Sequence, residues 1–227
     1  TEIYTLSLHD ALPISHAEDF FTPEESAYIA RNPSVRIGVA ESKPYTFYDA
    51  GTFRGFSIDV LHEIEKVSGL RFELTAGNWS DVYNSFLKGR LDALNEVSFT
   101  DEREKLMLFT QPYHIRKTVF FTRSDTNLPE KDRLRHLKGK KVGIIKDIFY
   151  HNSIKDKGLD LTEFSNFDDM MRSLAFGWTD AAVTNELTGL FIARANSLSN
   201  IKSAGAAGIK EIADEDFRIS VQKDNPV

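Results

Sequence analysis

The sequence predicts an α/β fold of two similar lobes joined by two crossing strands, and three observations predict it. Strand-like and helix-like periodicities alternate along the chain, the pattern that builds a mostly parallel sheet covered by helices. The run Gly89-Arg90-Leu91-Asp92-Ala93 is echoed by Gly177-Trp178-Thr179-Asp180-Ala181. Each follows a helix-like pattern and leads through a glycine turn into a buried strand, so the lobes read as variants of one unit. Two β-rich runs, KTVFFT from Lys117 to Thr122 and FRISVQ from Phe217 to Gln222, read as the passage between lobes and the return.

A chain of 227 residues is long enough for two lobes of about 100 residues each. Hydrophobic residues at 41% and charged residues at 27% are those of an ordinary globular protein. The net charge of −6 and pI near 5.6 disfavour nucleic acid or an anionic membrane surface, which need a basic face; a small polar ligand is the expected partner. The absence of cysteine excludes disulfides, thiolate catalysis and zinc-thiolate sites. The six histidines lie scattered with no metal-binding spacing, so neither metal nor cofactor is expected. No run of 18 apolar residues marks a transmembrane helix.

The first fifteen residues, TEIYTLSLHDALPIS, resemble a translated sequencing-library adapter and are set aside from fold reasoning. Without Glu2 and Asp10 the net charge becomes −4. Residues 16–34 read as a linker and a leading helix. Thr22 is its N-cap, Pro23 its first residue and Glu25 completes a capping box; Asn32-Pro33 stops it. Residues 35–118 with 216–227 then form lobe one, and 119–215 form lobe two.

Val35, Ile37 and Val39 alternate as the first strand. A loop Glu41 to Phe47 and a turn Asp49-Ala50-Gly51 follow. Val60, Leu61, Ile64 and Val67 keep helical spacing up to Gly69. Arg71 to Thr75 is the next strand, and Trp79-Ser80-Asp81 begins a helix through Leu87. In lobe two, Val142 to Ile145 is a strand and Tyr150 to Lys155 a short helix. Asp168 to Phe176 is a helix whose Met170, Met171 and Leu174 pack the core.

The central stretch is LDALNEVSFTDEREKLMLFTQPY, Leu91 to Tyr113. Leu91 to Leu94 ends a buried strand; Asn95, Glu96, Ser98 and Thr100 then follow its carboxyl end, where this fold class leaves a ligand crevice. Thr100 caps the turn Asp101-Glu102-Arg103. A guanidinium at Arg103 matches a carboxylate in two parallel hydrogen bonds and keeps its proton. A surface ion pair with Glu102 or Glu104 is the plainer alternative.

Gly89-x-x-Asp92-Ala93, Ser98-x-Thr100-x-x-Arg103 and Leu108-Phe109-Thr110-x-Pro112-Tyr113 resemble the central motif of family 3 extracellular solute-binding proteins, over roughly Val35 to the chain end. The resemblance implies the bilobed periplasmic-binding-protein type II fold, here without its C-terminal helix, and a "Venus flytrap" that closes on polar amino acids. The leading helix is similar to that of flytrap domains in membrane sensor kinases and cyclases. It implies the extracytoplasmic sensory domain of a transmembrane receptor, with signalling domains in the same chain. An ABC uptake protein working with a permease is the alternative.

By the same resemblance Arg103 would clamp the ligand carboxylate, Ser98 would add a hydroxyl and Trp79 would pack on the ligand. Asn95 and Glu96 would line the cleft floor. Three departures stand out. Asn185 occupies the place of an ammonium-accepting aspartate; Glu96 replaces a small residue and would either supply that charge or repel acidic ligands; Lys146-Asp147-Ile148-Phe149 replaces glycine and threonine, leaving Phe149 to line the cleft or pack under the loop. Dehydratases of this fold keep an enzymatic alternative open, with Glu96 or Glu186 as general acid if desolvated.

Overall fold

The structure, a computed structural model, describes residues 21–31, 34–209 and 214–224. The adapter-like residues and the helix stop at Asn32-Pro33 lie outside the described residues. Helix α1 (Pro23–Arg31) opens on the expected capping box: the Thr22 N–H donates to Glu25 Oε2 at 2.7 Å and the Glu25 N–H to Thr22 Oγ1 at 3.2 Å.

The first lobe is built on β1 (Ser34–Ala40), which pairs in parallel with β4 (Arg71–Gly77) and β5 (Ala93–Val97). Between β1 and β4 come the hairpin β2 (Phe47–Asp49) and β3 (Thr52–Arg54), then α2 (Phe56–Ser68). Gly69 ends α2 in the left-handed conformation, φ 78°, its N–H returning to Glu65 O. Helix α3 (Trp79–Leu87) covers the other face. Ile37, Ile58 and Leu61 form one buried layer, and Val82, Phe86 and Leu94 the other. Full burial of a side chain such as Phe86 stabilises by about 1.5–3 kcal/mol.

Past β5 the chain makes α4 (Asp101–Glu104) and β6 (Met107–Phe109). Strand β7 (His114–Arg123) then carries it across. Residues 114–117 of β7 pair with residues 214–217 of β12 (Asp214–Gln222), and residues 118–122 pair with β10 (Ala181–Asn185). Beyond residue 217, β12 leaves β7 for β5 and β6. The two crossing strands therefore run side by side where the lobes meet, and both change partners there.

The second lobe repeats the first. Helix α5 (Arg133–His136) precedes β8 (Lys141–Ile145), which pairs in parallel with β9 (Asp160–Phe164) and β10. Helix α6 (His151–Lys155) follows β8, and α7 (Phe167–Ala175) buries Met170, Met171 and Leu174 as expected. Helix α8 (Glu186–Ala195) and β11 (Ile201–Ala206) complete the lobe. The overall strand order is β4-β1-β5-β12-β7-β10-β8-β9, which sets the carboxyl ends of both parallel groups toward a common cleft.

Two local expectations need correcting. Asn95 and Glu96 do not follow the strand but lie within it, because β5 runs from Ala93 to Val97 and starts two residues after Leu91. Glu96 does so in the left-handed region, φ 57°, a conformation that non-glycine residues rarely hold and that aims its side chain apart from a regular pleat.

Candidate functional site

Thr100 caps α4 as its sequence position demands, its hydroxyl accepting the Arg103 N–H at 3.1 Å. That turn points Arg103 inward. The side chain is only 6% exposed, and its Nη1 donates to Ser98 O at 3.1 Å. The guanidinium carbon lies 5.0 Å from the Trp79 ring centroid, 5.3 Å from Tyr83 and 5.8 Å from Phe149, a box of cation–π contacts. Burial pushes its pKa down, while Tyr83 and the more distant Glu215 support its charge. Among the described residues no carboxylate forms an ion pair with it. The alternative of a surface pair with Glu102 or Glu104 does not describe this arginine.

Arg103 lines a cavity between the lobes. Ser42, Trp79, Glu96, Ser98 and Arg116 come from one side and Ile145, Ile148, Phe149 and Phe167 from the other, with Glu215 at the crossing. Its water-accessible volume is about 50 Å³. The lobes touch around it: Trp79 Nε1 donates to Asp147 O at 2.9 Å, and the Tyr45 hydroxyl to Asn185 Oδ1 at 3.2 Å. A longer ion pair, Lys43 to Asp168 at 3.8 Å, joins the rim.

Glu215 is the acid that sequence reasoning missed. Arg116 grips it with Nε at 2.6 Å and Nη2 at 2.8 Å, and the Ser98 hydroxyl donates at 3.0 Å. Ser98, read from sequence as a ligand donor, is thus committed to Glu215. For Arg116 burial works against the charge, but the Glu215 carboxylate more than offsets it and leaves the pKa raised. Arg116 also stacks 3.8 Å from the Phe217 ring centroid. No local signal marks this pair, since its members stand 99 positions apart in strands whose pairing is set by the crossing.

Glu96 receives the Thr46 hydroxyl. Burial raises its pKa to about 7; Arg116 and the hydroxyls of Thr46 and Ser57 only partly counter that, and Glu215 adds to it. Asn95 accepts from Tyr113 Oη at 2.9 Å, and its own Nδ2 is buried without a partner. Asn185 caps α8, accepting the Thr188 N–H at 3.2 Å, and donates to Lys117 O at 3.1 Å. The structure therefore brings Trp79, Glu96, Ser98, Arg103 and Phe149 together around one cavity and leaves Asn95 and Asn185 in the walls behind it.

Glu186 lies elsewhere, accepting from Ser203 Oγ at 2.8 Å. His151 pairs with Glu163 at 2.8 Å. No group of His, Cys, Asp and Glu side chains suited to a metal occurs among the described residues, nor any helix long and apolar enough to span a membrane.

Comparison with known proteins bears on the family and the fold. Over 169 residues the chain is 28% identical to the lysine/arginine/ornithine-binding periplasmic protein of Escherichia coli K12, covering 71% of this chain and 64% of that protein. It therefore spans just under two thirds of that relative's length. Over 210 residues it is 22% identical to the virulence sensor protein BvgS of Bordetella pertussis, covering 90% of this chain and 17% of that protein. A solved histidine kinase sensor domain with similarity to periplasmic binding proteins superposes with a TM-score of 0.78 at 28% identity, over 86% of this chain and 84% of that one, and shares its bilobed fold. The model of the bacterial extracellular solute-binding proteins, family 3, matches residues 35–226, and the chain belongs to that family.

Proposed function

We propose that this chain is an extracytoplasmic binding module that closes its lobes on a small polar ligand carrying a carboxylate, and that it serves as the sensory domain of a transmembrane signalling receptor. The observation that carries the reading is Arg103: buried, boxed by aromatic rings, and facing a cavity between the lobes with no carboxylate of its own. A buried cation without a counter-ion is costly, and a ligand carboxylate in a bidentate bond offsets that cost. Trp79 and Phe149 would flank the ligand and Glu96 would face it. Ser98 would act through Glu215, while Asn95 and Asn185 would hold the walls.

Closure supplies the output. A ligand that touches both lobes stabilises the closed form by its differential affinity for that form, and the bonds Trp79 to Asp147 and Tyr45 to Asn185 are those that closure makes. The sensory reading rests on α1 immediately before β1 and on the likeness to a kinase sensor domain; signalling domains would then be the partner. The periplasmic relative in E. coli favours the second reading, an uptake protein serving an ABC permease. Binding rather than catalysis fits the cavity, because Glu215 is tied to Arg116 and no second free acid or base stands beside Glu96 among the lining residues.

Thermal unfolding of the chain against amino acids and carboxylates, in wild type and Arg103→Ala, tests the reading. A ligand at 100 times its dissociation constant adds about 2.7 kcal/mol, and the resulting shift should vanish in Arg103→Ala. A shift that survives the substitution would sink the proposal.

A further inference from the structure

Resting on the reading of Arg103 as a carboxylate clamp, we propose that the site selects a monocarboxylate without an α-ammonium group, with Glu96 as the residue that sets this preference. The charges in the lining and the bonds its acids already make both point there.

The cavity lies between the lobes, with Arg103 and Glu96 both in its lining. Arg103 offers its guanidinium to it, and Ser42, whose buried hydroxyl has no hydrogen-bond partner among the described residues, lines the same cavity. Ile145, Ile148, Phe149 and Phe167 make the opposite wall apolar, suited to a hydrocarbon body.

An ammonium finds no comparable place. The Glu215 carboxylate already takes three hydrogen bonds, two from Arg116 and one from Ser98, and an ammonium would have to break them. Glu96 is the remaining acid in the lining, and Arg116 on β7 acts directly on it. A ligand cation placed against Glu96 would therefore sit beside the Arg116 guanidinium.

Every charged or titratable group acting on Glu96 bears on its proton. Arg116 from β7 favours ionisation; Glu215 from β12 opposes it; Tyr45 and Tyr113, themselves raised by burial, couple to it as neutral phenols. Burial dominates and holds the pKa near 7. In its protonated form Glu96 leaves the cavity with one uncompensated cation, Arg103, which suits a monoanion. Ionised, it would repel the same anion.

Isothermal titration calorimetry of the 227-residue chain with propionate and with alanine, at pH 6 and pH 8, tests this. Propionate should bind at least tenfold more tightly than alanine at pH 6. Its affinity should fall by up to about tenfold at pH 8 as Glu96 loses its proton, and Glu96→Gln should bind at pH 8 as the wild type does at pH 6. Alanine binding equal to or tighter than propionate, lost in Arg103→Ala and in Glu96→Gln, would overturn the preference and leave the carboxylate clamp standing. Propionate binding unchanged in Arg103→Ala would overturn the clamp and the preference with it, as would a cooperatively folded chain that binds neither compound. The pH comparison on the wild type decides the matter even if Glu96→Gln fails to fold.

Discussion

Asp92 and Asp180 occupy equivalent places in the two lobes and make the same bonds. Asp92 Oδ2 accepts the Arg36 N–H and Asp180 Oδ2 accepts the Lys141 N–H, both at 2.9 Å. In return the Asp92 N–H donates to Arg36 O and the Asp180 N–H to Lys141 O, both at 2.8 Å. Each aspartate thereby docks the glycine turn onto the start of the neighbouring parallel strand. Replacing either by alanine should cost roughly 1 kcal/mol, one hydrogen bond to a backbone amide. Each aspartate also meets an arginine, Arg36 at Asp92 and Arg123 at 4.0 Å from Asp180, in partly exposed pairs that add little. Urea unfolding of the two variants should show similar midpoint shifts; a loss at one aspartate alone would deny the equivalence.

This repeat was legible because its bonds are local and its spacing is constant: Gly89 and Gly177 both adopt positive φ, at 68° and 77°, three residues before the aspartate. Thr100 and the capping box at Thr22 were legible for the same reason. Long-range features were not. Helix α8 contains Gly189, which lowers helix propensity, yet only glycine fits there, since a Cβ would stand 2.3 Å from the Phe121 ring. The pairing of Arg116 with Glu215 depends on which strands cross, and neither residue lies in a motif. The cavity was half legible: Arg103 followed from the motif and Trp79 from the wider family resemblance, whereas Ser42 and the place of Asn185 in the wall depend on how the lobes meet.

The Arg116–Glu215 pair should be the largest single electrostatic determinant of stability. Its side chains are 9% and 3% exposed, and removing one partner strands a buried charge. Arg116→Met should destabilise by about 3–5 kcal/mol, whereas the double variant Arg116→Met with Glu215→Leu should recover most of that. Guanidinium denaturation of both variants checks the prediction; a double variant as unstable as the single one would show that packing on Phe217 matters more than charge.

Gly55 and Gly69 separate two meanings of a positive φ. Gly69, at φ 78°, has open space around an added Cβ, but Gly55, at φ 114°, would place one 2.2 Å from Tyr45 O and 2.6 Å from Pro44 O. Gly69→Ala should cost about 1–2 kcal/mol of left-handed strain, and Gly55→Ala roughly 2–4 kcal/mol, because the loop carrying Tyr45 and Thr46 must shift. That shift would also loosen Thr46 from Glu96 and Tyr45 from Asn185. Melting curves rank the two variants, and equal losses would refute the close approach.

Glu96 ties folding to pH. Its pKa is raised by burial from an ordinary 4.5 to about 7 in the folded chain, so the native state holds more protons than the unfolded state across that interval. The stability linked to Glu96 is therefore fully present below pH 4.5 and is lost as pH rises through 7. That rise corresponds to about 3.4 kcal/mol at most. Glu96→Gln, which cannot ionise, should unfold with a flatter dependence between pH 5 and pH 8 and should be the more stable chain at pH 8. An unchanged slope in Glu96→Gln would mean that the carboxylate reaches solvent, and the Thr46 hydroxyl bond would then hold an ordinary anion.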